Sequence, residues 1–151
     1  MSILNTEITT DPMGLGYATW LPDSPGTVAD LMNAKTFLLP KSIMVTEIEV
    51  IGLYPDGVTV GDQVLAKLEV YAAAGQILSS VVSRALRAIK QPQGLDFGTQ
   101  GVQEMLTVLG DQGVLTVDEA TKLKSIANQP ASRAEVLGIE SVSIEQVIGE
   151  I

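Results

Sequence analysis

The chain has no cysteine and no histidine. Without thiols there is no disulfide framework, thiolate nucleophile or thiolate metal site. Without imidazole it lacks the side chain most used for proton transfer near neutral pH, which is also the commonest metal ligand. Zinc-hydrolase, Ser-His-Asp and Cys-His schemes are therefore excluded. Only all-carboxylate, lysine or tyrosine chemistry stays open. Aromatic residues are scarce as well, at 4% of 151 residues, so the core must be built from Leu, Ile, Val, Ala and Met. No apolar run approaches the roughly 20 residues that span a bilayer. The first residues also lack the basic and apolar regions of a signal peptide. The sequence predicts a chain that remains in the reducing cytoplasm where it is made.

What is present is an acidic chain of ordinary domain size, 46% hydrophobic, with a net charge of −9. Such a surface repels phosphate backbones and anionic lipid, so neither nucleic acid nor membrane is expected as a main partner. Residues 1–22, broken by Asp11-Pro12, Gly14 and Gly16, read as an irregular N-terminal arm with at most a short turn over residues 3–8. Residues 23–151 read as a helical domain. Ser24-Pro25 opens a helix bearing Val28, Leu31 and Met32. From Gly61 the apolar spacing is helical throughout, and residues 61–90 form a helical hairpin. Its first helix buries Val64, Leu65, Leu68 and Tyr71. Its second buries Leu78, Val82, Ala85 and Ile89, joined by Ile77, Val81 and Leu86. Thr116 with Glu119, Ser132 with Glu135, and Ser143 with Gln146 are capping-box pairs that start three further helices. The last of these carries Ile144, Val147, Ile148 and Ile151. The expected fold is all-α, a bundle of mostly short helices.

One segment is ambiguous. Residues 44–54 are rich in β-branched side chains, and the turn Tyr54-Pro55-Asp56-Gly57 would let them return through residues 58–60 as a small hairpin. Thr46 and Glu49 argue instead for a capped helix with Val50, Ile51 and Tyr54 at helical spacing. The helix is the better reading, because everything downstream is helical.

Residue sets with chemical potential all have plainer readings. Gly14-Leu15-Gly16 lacks the strand and the third glycine of a phosphate loop. The acidic residues are scattered, without the dense Asp/Asn/Gly loop of a calcium site. Residues 102–136 have helix–turn–helix order, but the second helix offers only Lys122 and Lys124 where a DNA-reading helix needs base-reaching side chains. Arg84, Arg87 and Lys90 fall in the last turns of a helix, where cations complement its dipole. No catalytic residue, metal ligand or cofactor-binding residue emerges, and no enzyme is expected.

Three segments carry a family resemblance. They are Asp11-Pro12-Met13-Gly14-Leu15-Gly16-Tyr17, then Val28-Ala29-Asp30-Leu31-Met32-Asn33-Ala34-Lys35-Thr36, and Ser132-Arg133-Ala134-Glu135-Val136-Leu137-Gly138. Together with Gly113-Val114-Leu115-Thr116 and Gly94-Leu95-Asp96-Phe97-Gly98, they resemble a family of small tailed-bacteriophage proteins in the same order. Met13 and Leu15 stand where that family has Leu and Arg, and Trp20-Leu21-Pro22 has no counterpart. The resemblance implies a virion or morphogenesis protein without catalytic activity; the apolar residues of the N-terminal arm, not the resemblance, add the expectation of a neck, tail-tip or capsid-decoration position. The expected partners are other virion proteins and, through the arm, further copies of itself as a homo-oligomer or ring. Candidate partner contacts are Tyr17, Trp20 and Leu21 as apolar anchors from the arm, and Arg84, Arg87 and an exposed Arg133 as polar contacts to acidic neighbours. A small acidic adaptor binding another phage or host protein is the alternative.

Overall fold

A computed structural model describes residues 1–54 and 58–151, apart from the side chain of Val58. The chain runs α1 (Ile3–Thr10), α2 (Tyr17–Trp20), α3 (Pro25–Asn33), β1 (Phe37–Pro40), β2 (Met44–Val45) and α4 (Glu47–Gly52). It continues with α5 (Val58–Ala73), α6 (Ser79–Ile89), β3 (Leu95–Asp96), α7 (Gln100–Asp111) and α8 (Val117–Ser125). It closes with β4 (Asn128–Ala131), α9 (Arg133–Val136) and α10 (Ile144–Glu150). The fold is predominantly helical. It is not all-α, because β1 pairs with β4 and β2 with β3 in two small sheets. These strands are two to four residues long, too short to print an alternating pattern in the sequence.

The chain divides into two units, a central one, Pro40–Asn128, and a terminal one made of Met1–Leu39 and Gln129–Ile151. This division replaces the expected arm and single helical domain. The central unit is built on two helical hairpins. Val64, Leu65, Leu68 and Tyr71 of α5 share a core with Val82, Leu86 and Ile89 of α6, Leu106 and Leu109 of α7, and Leu123 of α8. Gly75, at a φ of 68°, makes the turn from α5 to α6. There the Ser79 hydroxyl donates to the Tyr71 carbonyl at 2.6 Å. The capped-helix reading of the ambiguous segment holds for α4, where Thr46 and Glu49 form the capping box. Met44 and Val45 do enter a sheet, but opposite Asp96 and Leu95 rather than in a hairpin with residues 58–60, which are helical. Residues 55–57 of the alternative turn lie outside the described residues.

The terminal unit is where sequence and structure part. Residues 1–22 are not an irregular arm. Ser2 caps α1 by accepting a hydrogen bond from the Asn5 amide at 2.9 Å. Leu4 and Ile8, one turn apart, then point into a core shared with Tyr17, Val28, Ala29, Met32, Ala134, Val142 and Val147. The segment looks arm-like in the sequence because Glu7 occupies a core position between these apolar residues and hides their periodicity. One assignment in the central unit changes as well. Ile77 and Val81, expected inside, are 89% and 45% exposed. On α10 only Val147 is buried, and Ile144, Ile148 and Ile151 lie on the surface.

Candidate functional site

The polar centre of the terminal unit is an ion pair joining its two chain segments. Arg133 opens α9, which Ser132 and Glu135 cap reciprocally, so its guanidinium is set at the start of a short helix with a fixed backbone. Its Nε and Nη2 donate to the two carboxylate oxygens of Glu7 at 2.7 and 2.8 Å, a bidentate geometry. The Tyr17 hydroxyl donates to the same carboxylate at 3.3 Å. Glu7 is 3% exposed and Tyr17 not at all. The Phe37 ring lies 5.9 Å from the Arg133 guanidinium. Burial, followed by the neighbouring Glu7 carboxylate, pushes the Tyr17 phenol well above its ordinary range, so it remains a neutral donor. The hydrogen bonds to Glu7 push the Arg133 guanidinium up in turn.

The other resemblance segments fasten backbone in the same way. Asp11, in the left-handed region at a φ of 39°, ends α1, and its two oxygens accept from the Leu15 and Gly16 amides at 2.7 Å each. This explains the Asp-Pro-Met-Gly-Leu-Gly-Tyr spacing, because the carboxylate closes the loop whose last residue, Tyr17, reaches Glu7. Asn33, the last residue of α3, donates to the Val142 carbonyl at 2.8 Å and accepts from the Val142 amide at 2.9 Å. In the central unit, Asp96 accepts from the Ser42 hydroxyl at 2.6 Å and from the Ile43 and Gly98 amides at 3.1 and 2.9 Å. The Ser42 and Gly98 hydrogen bonds hold its carboxyl below the ordinary range. A Cβ on Gly98 would collide with the Lys41 carbonyl oxygen, and one on Gly94 with that of Val45. The Gly-Leu-Asp-Phe-Gly segment is thus a backbone crossing that admits only glycine at both ends.

The predicted contact residues are therefore not brought together. Tyr17 is sealed in the core and cannot anchor a partner. Arg133 is not exposed either, since only 12% of its side chain is accessible and its acidic neighbour is Glu7 of the same unit. Trp20 is 44% exposed and Leu21 half-buried, so both still reach the surface. Arg84 and Arg87 stand exposed on α6. Lys90 instead pairs with Glu69 at 3.1 Å. Sequence reasoning missed Glu7, Asp11, Asn33 and Asp96 as fold-holding side chains. The one signal for Glu7 was its place on the Leu4–Ile8 face, where a solvated carboxylate does not belong.

On the central unit an open groove of about 760 Å³ runs along α5, with Ala66, Val70, Tyr71 and Val114 among its apolar lining. Its charged lining residue, Lys67, is held by Glu119 at 2.6 Å. Among the described residues no three acidic side chains gather as a metal site would require. No helix among them is long and apolar enough to cross a membrane. Comparison with known protein families, with characterised proteins and with solved structures finds no match to this chain in any of the three.

Proposed function

We propose that this chain is a non-enzymatic structural subunit of a tailed-phage virion, acting through contacts with other virion proteins and with copies of itself. A neck position is preferred over a tail-tip or capsid-decoration position. The observation that carries the reading is the fate of the three resemblance segments. The first and last of them, residues 11–17 and 132–138, come from the two ends of the sequence yet fold into one unit, where Tyr17 and Arg133 meet on Glu7. Asp11, Tyr17, Asn33 and Arg133 among them spend their polar side chains on holding backbone or on Glu7. Side chains used in this way define a shape, and shape is what an assembly subunit needs. Large apolar residues left on the surface, including Ile48, Val70, Ile77 and Ile148, supply contact area of the kind found at protein interfaces.

Mass spectrometry of gradient-purified particles tests the reading. The chain is expected at a fixed stoichiometry to the major virion proteins, and particles made without it should stall before head and tail are joined. Absence from the particle, with co-purification of one cytoplasmic protein instead, would overturn the virion reading in favour of the acidic adaptor.

A further inference from the structure

Charge is divided unequally between the two units. The terminal unit holds eight acidic and two basic side chains, a net of −6, and the central unit ten and seven, a net of −3. Both basic side chains of the terminal unit are engaged internally, Arg133 with Glu7 and Lys35 with Glu135. The reverse holds on α6, where neither Arg84 nor Arg87 has an acidic partner among the described residues. These arginines stand at a one-turn spacing beside the exposed Val81, with the exposed Ile77 just ahead of the helix. On α10 the exposed Ile144, Ile148 and Ile151 recur at helical spacing beside the exposed Glu145. Each of the two faces thus sets exposed apolar side chains beside charge, and the charges are opposite.

We propose that the outer face of α6 docks against the outer face of α10 on a second copy of this chain. Ile77 and Val81 meet the isoleucine stripe there, and Arg84 and Arg87 meet Glu145. The proposal rests on the structural-subunit reading and deepens it by naming the self-contact. Two like faces do not serve. An α6–α6 contact would set arginines against arginines, and an α10–α10 contact glutamate against glutamate, both unfavourable. A contact between different faces repeats with each added copy, reciprocally in a twofold dimer or head to tail in a ring or a filament. A polyanion is a poorer occupant, because two arginines on a chain of net charge −9 offer few phosphate contacts. One helix laid on another buries less than the roughly 1,200 Å² of a stable binary complex. The contact is therefore weak between free copies and adds up only along an assembly.

Sedimentation equilibrium of the full chain over rising concentration reads this directly. Self-association should be measurable. Arg84→Glu/Arg87→Glu and, separately, Glu145→Arg should each lower the association constant about tenfold or more while leaving the circular dichroism unchanged. An equimolar mixture of the two variants should regain association, because each reversed face then meets its complement. A wild-type chain that stays monomeric, variants that associate like wild type, or a mixture that stays dissociated would each overturn the proposal. So would an arginine variant whose one defect is lost retention on DNA-cellulose. Presence in particles without self-association sinks this contact alone, and self-association without presence in particles sinks the virion reading alone.

Discussion

The two units of this molecule reach a defined structure by different means. In the central unit the helices are longer, neighbours in space are neighbours in sequence, and the core of Val64, Leu68, Val82, Leu86, Leu109 and Leu123 is apolar. Its ion pairs, Lys67–Glu119 and Lys90–Glu69, lie on the outside. The terminal unit has shorter helices drawn from both ends of the chain, and it places a charged pair inside. Local helical hairpins need little loop closure before their contacts form. Segments more than a hundred residues apart gain from a contact that accepts one partner in one geometry. A bidentate arginine–carboxylate pair supplies that specificity, even though a buried pair adds little stability over an apolar one.

The most severe break in this comparison is removal of residues 1–21. It deletes Leu4, Ile8 and Tyr17 from the terminal core and leaves Arg133 without Glu7. Amide hydrogen exchange of residues 129–151 should lose all protection, while α5 to α8 retain theirs. A truncated chain with α9 and α10 still protected would restore the view of this segment as a detachable arm. Next in size is Arg133→Ala. It strands the Glu7 carboxylate in the core and should destabilise the terminal unit by about 3–5 kcal/mol in urea unfolding. Glu7→Leu combined with Arg133→Met should recover most of that loss, because no charge then remains buried. If the double variant is as unstable as the single one, the pair is more than a specificity device.

Gly98→Ala carries the comparison into the central unit. The methyl group would meet the Lys41 carbonyl and the Ser42 amide, both backbone and unable to turn aside. A loss of roughly 1–3 kcal/mol is expected, confined to the central unit. Equal loss of protection in α1 and α10 would show that the two units unfold together.

These differences set what could be read from the sequence. The starts of α3, α8, α9 and α10 were legible because each is announced locally, by Ser24-Pro25 or by a capping-box pair three residues apart. The α5–α6 hairpin was legible from apolar spacing. On α6, however, the spacing overcounted the buried face, because Ile77 and Val81 continue a stripe that the core does not use. The terminal unit was illegible because its organising contacts are non-local and polar. Nothing near Glu7 announces Arg133, and nothing near Asn33 announces Val142. Tyr17 and Arg133 were placed on the wrong side of the surface. Both are side chains common at interfaces, and here both are consumed inside.

The smallest effect expected tests a device the two units share. Asp11 in one and Asp96 in the other each close a loop by accepting two backbone amides on one carboxylate. For Asp96 the hydrogen bonds from Ser42 and Gly98 hold the folded pKa below its ordinary value. Its contribution is therefore fully present above the unfolded carboxylate pKa of about 3.9. It disappears as pH falls through the lower folded value, because the protonated carboxyl no longer accepts all three donors. Asp96→Asn keeps the shape and one acceptor oxygen but loses the charge. Wild type should exceed this variant in urea midpoint at neutral pH, and the gap should narrow only as the pH drops below that of an ordinary carboxylate. A gap that stays constant down to strongly acidic pH would mean that the Asp96 charge contributes nothing to the crossing. The Gly94–Gly98 corner would then be held by its backbone fit alone.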